Sequence, residues 1–379
     1  MTIPARALID LGAISANVAL LRERAGGVPA MAMVKADGYG HGIAEVARAA
    51  LAGGATWLGV ARLAEALHLR EAGLTAPILV CLCGPGEPYD RAVAADVDLA
   101  AGSAGLLAEI AAAADRAGRP ARVHLKADTG MSRGGAGPSD WPSLVDAALA
   151  GQAAGRLRAV GLMSHLACAD EPDHPANAAQ LRAFAEAADY AEKAGIHPEV
   201  RHLANSAALL TIPAARYDLV RPGIAMYGLS PLPERGAFGL RPAMTLSAAV
   251  ALVKRVPAGS GVSYGMTYTT GRETTLAVVP AGYGDGVPRH GSNLLEVLAG
   301  GRRRRIAGRV CMDQFVIDLG DDPIAAGDEV VLFGPGDRGE PTAQDWAGAL
   351  GTISYEIVTR IGARVPRVYE GRPDGRATS

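Results

Sequence analysis

Between about residue 29 and residue 230 the chain alternates regularly between short β-prone runs and Ala/Leu/Glu/Arg-rich stretches. The β-prone runs cover residues 30–35, 57–60, 78–83, 97–100, 122–128, 159–165, 200–205 and 219–226. Between them lie helix-like segments at 42–52, 63–72, 104–117, 140–150 and 177–194. In the last of these, Ala178, Leu181, Phe184, Ala185 and Ala188 recur at the spacing of one helix face. Eight strands separated by helices predict a parallel (β/α)8 TIM barrel. A doubly wound sheet is the alternative, and eight regular units favour closure.

After residue 240 the texture changes. Runs at 244–256, 275–280, 293–298, 305–310, 315–318 and 329–333 are β-rich, with turns at Ala258-Gly259, Gly284-Asp285, Gly300-Gly301 and Pro335-Gly336-Asp337. They predict a second, mostly antiparallel β domain. A short helix is expected over 342–350 with Thr342 as its N-cap. Residues 231–241, with two prolines and two glycines, read as the linker. A barrel domain over 1–235 and a β domain over 236–379 follow, an α/β fold of two domains in 379 residues. Residues 7–10 are also β-prone and precede the barrel pattern, so residues 1–10 are a candidate addition to the C-terminal sheet.

Composition removes several function classes. A net charge of −2 with 49% apolar residues gives a large core and no electrostatic footprint for nucleic acid or an acidic membrane. The longest apolar stretches, 78–83 and 248–253, fall far short of the ~20 residues that span a bilayer. The first eleven residues lack a secretory pattern, and the spacing of Cys81, Cys83, Cys168 and Cys311 fits neither a metal site nor a disulfide framework. Reduced thiols, no metal and a cytoplasmic location are expected. Of 37 basic residues only four are lysines: Lys35, Lys126, Lys193 and Lys254. A lysine in so arginine-rich a chain raises the question of what its amine does. An amine can lose its proton and attack a carbonyl, which a guanidinium does not do.

Barrel enzymes carry their functional residues at the C-terminal ends of strands. Lys35 ends the first run, inside Met33-Val34-Lys35-Ala36-Asp37-Gly38-Tyr39-Gly40-His41-Gly42. Lys126 to Arg133 closes another run, Ser164-His165 a third and Asn205-Ser206 a fourth, while the last passes into Arg221-Pro222-Gly223-Ile224. At Gly223 backbone N–H groups can approach an anion, the usual barrel arrangement for phosphate. Taken singly, His165 or Ser206 reads as a satisfied structural polar group and Lys35 as a lysine leaving the barrel for solvent. Converging on one mouth, they read as one ligand site.

The segment Val34–Gly42 resembles the cofactor-lysine signature of bacterial alanine racemases. The resemblance extends in order through Lys126 to Arg133, His165, Asn205-Ser206, Arg221 to Tyr227, Ser263-Tyr264-Gly265, Gly282 to Gly286, Cys311-Met312-Asp313 and Ser354-Tyr355-Glu356. It implies a homodimer with each active site built from two subunits, pyridoxal 5'-phosphate as cofactor, and alanine as substrate, giving D-alanine as a peptidoglycan precursor. Lys35 would hold the cofactor as an imine and then work on one face of the substrate, with Tyr264 of the other subunit on the opposite face. Tyr39, Ser206, Tyr355, Gly223 and Ile224 would hold the phosphate, with Asn205 and His165 beside the cofactor. Arg133 would bond the cofactor's phenolic oxygen and help bind substrate, and Met312 would bind the substrate carboxylate. Tyr283 and Asp313 would shape the pocket and its access.

Arg221 would face the pyridine nitrogen. Because a guanidinium only donates, that nitrogen would stay unprotonated and the ring would be a poorer electron sink. A short-lived carbanion suits racemisation. By the same resemblance Tyr264 bonds His165, which contacts Arg221, so a cationic chain would bias the phenol toward acting as a base. Lys126 matches a lysine that is carbamylated in some relatives, forming an anion that orients the arginine at position 133; pairing with Asp128 is the alternative. Ser132 and Gly134 replace larger residues common in relatives, and the run Arg302–Arg305 reads as a solvated face of the β domain. Three competing readings are a single-barrel pyridoxal-phosphate-binding protein, a decarboxylase of the same architecture, and a broad-specificity or serine racemase. The C-terminal half weighs against the first and Arg221 against the second. Tyr264, Tyr283 and Tyr355, by narrowing the pocket, favour alanine over larger substrates.

Overall fold

A computed structural model describes residues 5–371, so positions 1–4 and 372–379 of the two domain ranges lie outside the described residues. Seven parallel strands form one sheet in chain order: Met31–Met33, Trp57–Val60, Ile78–Val80, Val97–Ala101, Ala121–Lys126, Leu157–Met163 and Val200–His202. Successive strands are joined through helices, and most of their residues are buried on both faces, as helix-covered parallel strands must be. Residues 218–222 close the ring. Asp218 and Arg221 donate backbone hydrogen bonds to the carbonyls of Arg201 and Ala204, while Met31 and Met33 donate to Val220 and Pro222. The first and last strands are thereby joined, and a barrel results.

The last β-prone run, 219–226, is shorter in the fold than its composition suggests. After Pro222, which offers no N–H to a neighbouring strand, the chain turns into a 3-10 helix over Ile224–Tyr227. The first run likewise ends at Met33, and Lys35 opens a new turn.

The second half holds a six-stranded sheet in the order Arg302–Arg305, Glu296–Ala299, Glu329–Phe333, Met244–Ala249, Ala5–Asp10, Arg367–Glu370. All its contacts are antiparallel except the last, where Ala7 to Asp10 run parallel to Arg367 to Glu370. A three-stranded antiparallel sheet of Leu252–Val256, Thr274–Val279 and Phe315–Gly320 lies beside it. The single run 244–256 is thus two strands serving different sheets. The run 305–310 is not a strand; the strand is Arg302–Arg305. Nor is that arginine run wholly solvated. Arg304 is largely covered, paired with Asp322 and donating to the carbonyls of Asp318 and Leu319, while Arg303 reaches Asp345. The helix Ala343–Leu350 starts at Thr342, whose hydroxyl accepts from Asp345 N–H while the Asp345 carboxylate accepts from Thr342 N–H. The helix Ser354–Thr359 packs Tyr355 toward the barrel mouth, 6.2 Å from the Tyr39 ring.

Candidate functional site

The strand ends converge on one cavity of about 190 Å³ at the C-terminal mouth of the barrel. Lys35, Tyr39, Lys126, Arg133, His165, Asn205, Ser206, Arg221, Gly223, Ile224 and Tyr355 all line it, with Met33, Cys81 and Met163 filling the floor between them. Of these last three, Cys81 stands one residue past the strand Ile78–Val80, a position that marks a barrel mouth in any sequence.

Lys35 sits at the entrance of an unusual backbone. Ala36, Asp37 and Gly38 have φ/ψ of 54/52, 54/48 and 59/44, and Tyr39 has φ 52: one turn of left-handed helix. Each L-residue held there costs roughly 1–2 kcal/mol. The turn is bolted by side chains. Glu65 accepts from Ala36 N–H at 2.7 Å and from Ala61 and Arg62 N–H at 2.9 and 3.0 Å, and Asp37 accepts from Ile43 N–H at 2.9 Å. The result aims Lys35 and Tyr39 into the same cavity from opposite ends of five residues.

Arg221 is buried at the far wall. Its Nη1 donates to His202 Nδ1 and to the His202 carbonyl, both at 2.8 Å. Its Nη2 donates to the carbonyls of Ser164 and Leu203, at 2.7 and 3.1 Å, and to His165 Nδ1 at 3.2 Å. Nε has no such partner among the described residues. Burial lowers the guanidinium to about 10, so it stays charged at neutral pH. His165 is pushed down to about 3 by burial and by the charges of Arg221, Arg133, Lys35 and Lys126. It is therefore neutral. Its Nδ1 accepts from Arg221, so its proton resides on Nε2, which can donate.

Three hydroxyls form the opposite end. Ser206 Oγ accepts from Gly223 N–H at 2.8 Å and from Ala225 N–H at 3.3 Å, leaving its own proton to donate. A Cβ on Gly223 would lie 2.5 Å from Tyr39 Oη, so the bare Cα is what lets that hydroxyl into the wall. Tyr39 stacks on Tyr227 at 4.8 Å, and burial raises its phenol pKa; Tyr355 is pushed up to about 12, also by burial. All three hydroxyls are protonated donors at neutral pH. Asn205 caps the helix Ser206–Thr211, its side chain accepting from Ala208 N–H at 3.0 Å.

Asp128 does not pair with Lys126. Its Oδ1 accepts from Gly130, Met131 and Ser132 N–H at 3.0, 3.0 and 3.1 Å, folding the loop that presents Arg133. Lys126 Nζ makes one long contact, 3.5 Å to the Cys81 carbonyl, and burial with the nearby Arg221 and Arg133 lowers its pKa.

The β-domain candidates stand elsewhere. Tyr264, Met312 and Tyr283 are 71%, 53% and 43% exposed, and none touches the cavity of the same chain. They share one face. Ser263 Oγ lies 3.3 Å from Cys311 Sγ, Tyr283 N–H donates to the Cys311 carbonyl at 3.0 Å, and Gly284 N–H to that of Met312 at 2.8 Å. Met266, 71% exposed, adjoins them. Asp313 is held by Arg364 at 2.8 Å.

A closed parallel barrel with a basic, hydroxyl-lined cavity at its C-terminal mouth, joined to a β domain, is the plan of a two-domain barrel enzyme. Comparison with known proteins gives the family. Models of the alanine racemase N-terminal domain and C-terminal domain match residues 9–231 and 243–369. The chain is 64% identical to the alanine racemase of Thermobifida fusca over 97% of its length and 98% of that protein. The structure of alanine racemase from Streptomyces coelicolor A3(2) superposes with a TM-score of 0.95 at 60% identity, covering 97% of this chain and 98% of the other. That of alanine racemase from Bacillus anthracis with bound L-Ala-P gives 0.89 at 39% identity, covering 98% and 96%. The chain belongs to the alanine racemase family, and it is an enzyme of the amino-acid racemase class.

Proposed function

We propose that the protein interconverts L-alanine and D-alanine with pyridoxal 5'-phosphate in the barrel-mouth cavity, as a homodimer in which each site borrows Tyr264 from the other subunit. The observation that carries this reading is the shared cavity of Lys35 and Arg221, an amine and a fixed guanidinium whose Nε makes no hydrogen bond among the described residues. The residues fit the cofactor. Ser206, Tyr39, Tyr355 and the N–H of Ile224 suit a phosphate, with Gly223 leaving the space. Arg133 suits the phenolic oxygen and, with Met312 N–H of the second subunit, a substrate carboxylate.

When bound, the cofactor supplies an aldehyde for the substrate amine and a conjugated ring that withdraws electrons from Cα. Lys35 Nζ removes or returns the Cα proton on one face, and Tyr264 Oη does so on the other. The Nε2–H of neutral His165 donates toward the Tyr264 oxygen, favouring its charged form. Arg221, whose guanidinium only donates, would face the ring nitrogen from Nε and would keep it an acceptor, so the ring would withdraw electrons less strongly. The exposed face of Tyr264, Met266, Tyr283 and Met312 is the surface a second copy would cover. Asp313, fixed by Arg364, and Tyr283 would flank the entry path. No helix among the described residues is long and apolar enough to cross a membrane. We place the enzyme in the cytoplasm, supplying D-alanine as a peptidoglycan precursor.

The test is chiral chromatography of L-alanine, L-serine and L-arginine after incubation with purified protein and cofactor. Alanine should approach equal enantiomers while the other two persist. Unchanged L-alanine would overturn the activity, and equal turnover of serine would make the enzyme broad in specificity.

A further inference from the structure

Among the described residues Arg221 is a buried cation with no carboxylate in contact. All five of its hydrogen bonds end on carbonyls or imidazoles. One of those imidazoles leads away from the cavity. His202 Nε2 lies 2.8 Å from His124 Nδ1, and His124 Nε2 lies 3.2 Å from Asp98 Oδ2. Asp98, His124 and His202 are 2%, 0% and 0% exposed, on the strands Val97–Ala101, Ala121–Lys126 and Val200–His202. Arg122 closes the far end, donating to Asp98 at 2.8 Å and to Glu199 at 3.1 Å.

Donor chemistry permits one proton arrangement. Arg221 can only donate, so His202 Nδ1 is bare and its proton is on Nε2. That N–H must be accepted by His124 Nδ1, so the proton of His124 is on Nε2 and goes to Asp98. An extra proton on either ring would break a bond in the chain. The backbone is shaped for this path. His124 pairs with Gly161 on the intervening strand, next to a register shift, and a Cβ at Gly161 would stand 2.1 Å from His124 Nδ1. Only a missing side chain lets His124 reach across that strand to His202.

We propose that Asp98, His124 and His202 form a one-way hydrogen-bond relay through the barrel that acts as the distant counter-ion of Arg221 and positions its guanidinium. Asp98 polarises His124 and His124 in turn polarises His202, which strengthens the acceptor offered to Arg221. With Nη1 and Nη2 fixed, Nε is held toward the cavity. Asp98 and His124 are positioning residues, and their effect on the reaction rests on the reading of Arg221 as the ring-nitrogen partner.

The test combines nitrogen NMR of ¹⁵N-histidine-labelled protein, recorded with and without cofactor, with steady-state kinetics. In the wild type, His124 and His202 should both carry the proton on Nε2. Asp98→Asn keeps an acceptor for His124 but removes the charge, and Gly161→Ala displaces His124 by contact while leaving the chemistry of every relay group unchanged. Either should weaken the His202–His124 bond and so move the His202 Nε2 chemical shift, with the tautomer that Arg221 fixes unchanged, and should lower kcat about tenfold with KM moved less than about twofold. His124→Gln, whose amide accepts from His202 and donates to Asp98, should restore kcat to within about twofold of the wild type. A wild-type His124 or His202 protonated at Nδ1 overturns the relay. So does an unchanged His202 Nε2 shift in both variants, whatever the rates. The wild-type spectrum decides even where a variant fails to fold. Failure to bind cofactor would instead refute the proposed function and leave the NMR result standing.

Discussion

His41 and His165 make the fold sensitive to mild acid by a calculable amount. His41 lies wholly buried behind the Lys35 turn, its Nδ1 bonded to the Tyr39 carbonyl at 2.9 Å, and burial pushes it down to about 4. His165 is held at about 3. In the unfolded chain both titrate near 6.5. A base whose folded value is depressed costs nothing above its unfolded value. Stability is lost as pH falls below ~6.5 and stops falling only at the folded value, because in that window the unfolded chain takes up a proton the folded one refuses. Between pH 7 and pH 5 each such histidine therefore removes about 2 kcal/mol, and the two together about 4 kcal/mol. That is a large part of the ~5–15 kcal/mol that holds a domain together. The measurement is urea unfolding of the wild type and of His41→Asn, which retains a donor for the Tyr39 carbonyl, at both pH values. The cost of the smaller side chain appears at both and cancels. The wild type should lose about 2 kcal/mol more than the variant between them. Equal losses would refute the assignment of His41 as a neutral buried base.

Lys35→Ala should abolish the visible absorbance of the bound cofactor and lower racemisation more than about thousandfold; retained, borohydride-reducible absorbance would count against Lys35. Tyr264→Phe should slow solvent exchange of the Cα proton from one alanine enantiomer about a hundredfold, and much less from the other. Equal slowing of both would refute the two-face scheme. Lys126, whose pKa is lowered chiefly by burial and also by Arg221 and Arg133, is the amine expected to add to CO2. That addition releases one proton and leaves a carbamate anion beside Arg133. Intact mass and ¹³C NMR under labelled CO2 should show the adduct; an unmodified amine would refute it.

Much of the barrel is legible in the sequence because a parallel strand buried on both faces must be a short, nearly unbroken apolar run, and Trp57–Val60 and Ile78–Val80 are such runs. The ends are less legible. Nothing in Ala36 or Tyr39 favours a left-handed backbone, and Asp37 favours it only weakly; the turn is held by Asp37 on Ile43 N–H and by Glu65, twenty-nine residues from Ala36. The run 219–226 looks β-prone throughout, yet Pro222 breaks its ladder. At 302–310 the apolar content points to 305–310, whereas pairing with Glu296–Ala299 selects four arginines whose stems cover an edge. The cavity lining was visible as residues at strand ends. Asp98, His124 and His202 were not, because a polar residue inside a strand gives no local sign that it faces another polar residue across the barrel. Gly161 is the one hint, and its meaning depends on a contact between strands that the sequence does not order.

Four basic groups, Lys35, Lys126, Arg133 and Arg221, share one cavity whose lining contains no carboxylate. Like charges so enclosed oppose folding, and the relay to Asp98 offsets the charge of Arg221 alone. A ligand bearing a phosphate, and a substrate bearing a carboxylate, would neutralise the rest. Binding of such anions stabilises the folded state by about 2.7 kcal/mol at a hundred times the dissociation constant. The same reasoning applies to the face of Tyr264, Met266 and Met312, whose apolar surface stays hydrated until something covers it. The groups that make the lone chain less stable are therefore those the proposed chemistry uses: a phosphate-bearing cofactor would stabilise the first set and a second subunit the other.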